Sequence, residues 1–180
     1  MGIKHSQSIW IGILALCLFS SVALADPVQD TARAEEAFRI GDLVNAMTLF
    51  RQAGNQGYAP AQIRFGELLD VAELNEEAVS WYRKAAAQGD ASGEFHLAGM
   101  YAIGEGVKKD TVKALKLIHS AADKNYLPAV KQLAQIYRTG GLGLMIDIPQ
   151  SQLWESKAQA LKKSAAAAKK MKKNAQGHEK

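Results

Sequence analysis

The residue types best suited to metal binding, proton transfer or nucleophilic attack are sparse in this chain of 180 residues: four histidines and one cysteine. A zinc site on a helix needs ligands one turn apart, as in H-x-x-x-H or H-E-x-x-H, so that both imidazoles face one ion. His96, His119 and His178 show no such spacing, and Cys17 falls in an N-terminal leader. No G-x-S-x-G elbow holds a serine for acyl transfer. Gly104-Glu105-Gly106 has a phosphate-loop look, but it follows a helical pattern and lacks the third glycine and the Lys-Ser/Thr pair. The expectation is a chain with no catalytic residue, no metal and no cofactor.

The elements around these residues account for them better. Ala46–Ala59 reads AMTLFRQAGNQGYA, Ala78–Ala91 reads AVSWYRKAAAQGDA and Ala114–Leu127 reads ALKLIHSAADKNYL. The segments preceding them also align: Ala61 to Leu69, Gly93 to Tyr101 and Ala129 to Tyr137 each open on a small residue with large apolar ones at i+4, i+7 and i+8, one face of a helix. The offsets are 32 and 36 residues, and the difference lies in one loop, which gains Gly104-Glu105-Gly106-Val107. Self-similarity at such a period marks stacked repeats, whose units bury their apolar faces only against each other. Fold class is therefore expected to be all-α: an α/α solenoid of about four antiparallel helix pairs, at about residues 30–57, 58–90, 91–126 and 127–161.

Punctuation supports that register. Pro60 and Pro128 share a column at a helix start, where a missing N–H costs nothing. Asn75, Asp110 and Asp147 stand where second helices need an N-cap, and Gly57, Gly89 and Asn125 where helices should end on a left-handed residue.

The ends differ from the middle. Residues 1–25 carry Lys4 and His5, an apolar run from Ile9 to Val22 and an Ala23-Leu24-Ala25 site, the pattern of a secretory signal cleaved after Ala25. A short simple signal and the lack of an N-x-S/T acceptor favour the bacterial periplasm, or secretion, as the location. The net charge of +4 belongs to the C-terminal tail: residues 162–180 hold seven lysines against Glu179, whereas 26–161 hold 14 basic and 17 acidic side chains. That tail, KKSAAAAKKMKK at its core, should prolong the last helix, and its lysines suit a weak contact with an anionic surface rather than insertion. An exported chain does not meet nucleic acid, so no nucleic-acid partner is expected.

Tyr101, Gly104, Gly106, Val107, Asp110, Lys113 and Ala114, with Trp81, Tyr82, Lys84, Ala85, Ala86, Gln88, Gly89 and Ala91, resemble the Sel-one-like repeat, a relative of the tetratricopeptide repeat. The resemblance covers about Ala34 to Ala160, with the first and fourth units departing from the pattern. It implies a non-enzymatic adaptor or scaffold binding another protein in the bacterial envelope. For some members it implies instead an immunity protein that neutralises a type VI secretion toxin such as a phospholipase. In tetratricopeptide-like stacks the first helix of each pair lines the concave side. The expected protein-binding groove then comprises Gln62, Arg64, Glu67 and Asp70, then Glu94, His96 and Met100, then Lys131, Gln132, Gln135 and Arg138.

Overall fold

A computed structural model describes residues 26–177; the leader with Cys17, and His178, lie outside the described residues. Eight α-helices follow in consecutive antiparallel pairs: α1 (Pro27–Arg39) with α2 (Leu43–Asn55), α3 (Ala59–Val71) with α4 (Asn75–Ala87), α5 (Ala91–Ile103) with α6 (Thr111–Asp123), and α7 (Leu127–Thr139) with α8 (Ile148–Gly177). The described residues form no strand, and a 3-10 turn at Gly141–Gly143 precedes α8. α8 runs unbroken into the lysine-rich tail, whose side chains to Ala175 are exposed.

Local chemistry starts and stops these helices. Asp110 Oδ1 accepts from the Lys113 N–H at 2.9 Å and Asp147 Oδ1 from the Gln150 N–H at 2.9 Å, while Asp42 and Asp90 cap α2 and α5 alike. Asn75 is a correction: it is the first residue of α4, Leu74 holds the cap position, and no side chain caps that end. The acidic Glu76 and Glu77 favour the α4 N-terminus through its dipole instead. Gly57, Gly89 and Asn125 do take left-handed backbone, with φ of 87°, 78° and 62°.

Packing repeats by column. Ala46, Ala78 and Ala114, and seven residues on Ala53, Ala85 and Ala121, are each 0% exposed, so α2, α4 and α6 each bring two turns of backbone close to their neighbours, and α8 does so with Ser151 and Ala158. Large side chains fill the space so left. Phe50, Phe65, Leu69, Trp81, Tyr82 and Tyr101 pack between the first three pairs, and Ile118, Val130, Leu133 and Ile136 between the last two. The core is therefore two buried clusters along the stack, joined through the half-buried Leu117 and Leu142. Each second helix also packs on the first helix of the next pair, and the first helices touch one another, α1 with α3 and α3 with α5. Closer approach of first helices puts them on the inner side of the curve.

Glycine sets the closest approaches. A Cβ at Gly93 would lie 2.6 Å from Ala85 Cβ and 2.9 Å from the Ala86 backbone nitrogen, whereas a Cβ at Gly99 would meet nothing within 4 Å. Gly93→Ala should therefore destabilise by roughly 1–2 kcal/mol after its gain in helix propensity. Gly99→Ala should stabilise by about 0.5–1 kcal/mol. Urea titration of both variants checks this; equal midpoints would overturn the packing account.

Candidate functional site

The inner wall is made by α3, α5 and α7, and a chain of charges ties its first half together. Arg64 on α3 forms a two-point pair with Glu35 on α1, Nε to Oε1 at 2.6 Å and Nη2 to Oε2 at 3.0 Å, and its Nη1 donates to Glu67. Its guanidinium lies over the rings of Phe38 and Phe50, at 5.3 and 5.7 Å. These partners, Glu35 first, hold its pKa above the ordinary arginine range. Glu67 Oε1 in turn lies 3.2 Å from His96 Nε2 on α5, and His96 stacks on Tyr82 with centroids 5.0 Å apart. The contact from His96, then that from Arg64, holds the Glu67 carboxyl below its usual value against the effect of burial. Burial pushes the Tyr82 phenol up, helped by the charges of Asp70 and Glu67.

Three expected groove residues do not project from the wall. Gln62, Glu94 and Met100 are buried. Gln62 donates from Nε2 to the Gly54 carbonyl at 2.9 Å and accepts from Gln88 Nε2 at 2.8 Å. One repeat later Glu94 Oε1 accepts from Lys124 Nζ at 2.7 Å and from Ser120 Oγ at 2.9 Å. The same two columns thus hold an amide pair and then an ion pair, each between the two helices of one unit. Gln62 and Glu94, each the residue after a small helix opener, face the close of the partner helix in their own pair, which periodicity along one helix does not reveal. Met100 falls in the core of the first three pairs, packed with residues of α3 and α4.

Lys131, Gln132, Gln135 and Arg138 are exposed on α7, with Arg138 paired to Glu155 of α8. Asp70, His96 and Gln132 meet around a hollow of about 340 Å³ between α3, α5 and α7. Its floor is apolar, with Phe95, Met100 and Leu142, and its rim carries Asp70 and Glu105. Gly99 stands open on it and Ile103 is exposed at its edge. Sequence reasoning missed Phe95, Ile103, Glu105 and Leu142; two of these lie in the loops after α5 and α7, which a helix-face argument passes over. Among the described residues no group of three His, Cys, Asp or Glu side chains could hold a metal ion.

Comparison with known proteins follows the same lines. The Sel1 repeat family model matches residues 38–58, 65–90 and 91–126. A protein of Neisseria meningitidis serogroup B, itself uncharacterised, is 28% identical over 122 residues, 49% of this chain and 26% of its own length. An exopolysaccharide production negative regulator of Rhizobium leguminosarum is 36% identical over 87 residues, 43% and 33% of the two chains. DAP3-binding cell death enhancer 1 of Rattus norvegicus is 31% identical over 100 residues, 54% and 20%. The chain thus spans about a fifth to a third of the length of these curated relatives. Among solved structures, a Sel1 repeat protein from Oxalobacter formigenes superposes with a TM-score of 0.67 at 28% identity over 75% of this chain and 58% of that one. A protective antigen of uropathogenic Escherichia coli with an SLR fold gives 0.64 at 28% identity, covering 75% and 30%.

The lowered Glu67 pKa carries a pH signature. A carboxyl whose folded value lies below its ordinary 4.5 adds stability that is present above that pH and lost as the pH falls through the folded value. Glu67→Gln should lower stability at pH 7 by about 1 kcal/mol, a figure reduced for its partial exposure. The difference from the unsubstituted chain should close on acidification below pH 4.5. Thermal melts at pH 7 and pH 3 check this, and an equal gap at both would rule it out.

Proposed function

We propose, from the premise that the chain is a Sel1 repeat protein, that it is an exported, non-enzymatic adaptor capturing another protein on its inner wall. Sel1 repeats generally mediate protein–protein interactions. The observation that carries the reading for this chain is the hollow between α3, α5 and α7. An apolar floor takes an apolar side chain out of water, and the paired acids on the rim, Asp70 and Glu105, favour a lysine or arginine beside it. The fitting occupant is an extended or helical protein segment of that composition. Arg64 is tied into the wall by Glu35 and Glu67 and does not line the hollow.

The setting proposed is the bacterial cell envelope, on the strength of the leader pattern in residues 1–25. No helix among the described residues is long and apolar enough to cross a membrane. Fractionation should find the chain outside the cytoplasm and starting at Asp26; a chain retained in the cytoplasm at full length would overturn export.

Filling or reversing the hollow tests capture itself. Gly99→Trp and the double change Asp70→Lys with Glu105→Lys should each weaken a partner captured from envelope extract by tenfold or more, the scale of one interface anchor. Circular dichroism should stay unchanged. Undiminished capture by both variants would remove the inner wall as the site.

A further inference from the structure

The seven helices α1 to α7 are each 13 residues long, roughly 20 Å at 1.5 Å per residue. Equal lengths in antiparallel pairs bring all turns within pairs to one edge of the stack and all turns between pairs to the other. The two edges differ in chemistry. The between-pair turns, Gln56-Gly57-Tyr58, Gln88-Gly89-Asp90 and Lys124-Asn125-Tyr126, expose polar residues and keep their two tyrosines half-buried. The within-pair turns expose large aliphatic side chains in every unit: Ile40 and Val44, then Val71, then Ile103, then Met145 and Ile146. Val44, Val71 and Met145 are 80%, 86% and 84% exposed, so this is apolar surface at almost full extent rather than the rim of a core.

Charge on that edge is ordered too. The turn of the second unit carries Glu73, Glu76 and Glu77 around a shallow hollow, and the loop of the third unit carries Lys108 and Lys109 around another, with Asp110 beside them engaged in capping α6 and Glu105 on the inner-wall hollow. Gly106, where a Cβ would lie 2.3 Å from the Asn75 backbone, locks that loop against the start of α4, so the acidic and basic patches sit side by side. None of Glu73, Glu76, Glu77, Lys108 and Lys109 forms an ion pair among the described residues.

We propose that this edge is a two-fold interface with a second copy of the chain. An axis between the second and third units lays the glutamates of each copy on the lysines of the other. The same operation sets the aliphatic turn of the first unit against that of the fourth. One rotation satisfies both charge and apolar pattern, as an isologous contact requires. The three glutamates count against the alternative of an anionic lipid surface, which would repel them. The edge borders the hollow at Ile103, but Val71, Glu76, Glu77, Lys108 and Lys109, which carry the contact, do not line it, so the dimer leaves the hollow between α3, α5 and α7 open.

Light scattering and sedimentation of the protein purified after expression of the full coding chain read the result. The expected mass is twice that of one chain at micromolar concentration, falling to one chain with Val71→Asp and Ile146→Asp. Glu76→Lys with Glu77→Lys, and separately Lys108→Glu with Lys109→Glu, should each yield monomers. Mixing the two should restore the doubled mass, because residues 76 and 77 again face residues 108 and 109 of opposite charge in the mixed dimer. A single-chain mass for the unsubstituted protein up to 100-fold higher concentration, or a mixture that stays monomeric, would overturn the proposal. Pelleting with anionic vesicles by a monomeric edge would overturn it in favour of lipid. Groove variants that lose capture but keep the doubled mass separate this proposal from the one above.

Discussion

No helix pair in this chain can bury its apolar face alone, and the rest of the structure answers that constraint. Each second helix must press backbone against both its own partner and the next first helix. Alanine at two positions seven apart in α2, α4 and α6, with Gly66 and Gly93 in the first helices, is what lets that happen. Cohesion is then a chain of neighbour contacts with no central nucleus. Every unit depends on the one beside it.

The same constraint explains which polar residues go inside. Gln62 with Gln88 and Glu94 with Lys124 tie the two helices of one pair together, while Gln62 Nε2 and Lys124 Nζ also reach back to the Gly54 and Gly89 carbonyls of the preceding unit. A buried charge costs several kcal/mol unless it is partnered, so the Glu94 pair is tolerated because Ser120 and Lys124 both donate to it. These pairs fix how the two helices of a unit sit on each other, and the bonds to the Gly54 and Gly89 carbonyls fasten that unit to the one before it.

Helix order, pairing and stops were legible because they are encoded within one repeat: small openers, left-handed Gly57, Gly89 and Asn125, and the Asp caps all recur in register. The wall was legible only in part. Asp70, His96, Gln132 and the exposed face of α7 follow from helix periodicity, but Gln62, Glu94 and Met100 are hidden by neighbours that no single helix records. Glu105 and Leu142 join the hollow from loops of different length, and loop path has no period to read. The absent Asn75 cap is of the same kind, since Leu74 takes the position once the turn of the second unit closes through Glu73 at φ 60°.

A stack held by neighbour contacts also couples binding to cohesion. The hollow is lined by α3, α5 and α7, three units that meet mainly through the second helices between them. An occupant touching all three adds a direct tie where the molecule has few. By mass action that tie stabilises the assembled stack by an amount set by its concentration over its dissociation constant. The Glu35–Arg64–Glu67–His96 chain already supplies such a tie across the first three units. Towards α7 no described ion pair continues it, and the wall there is open Gly99 and solvated Gln132. The part of the inner wall with least internal pairing is therefore the part where an external segment has most to contribute.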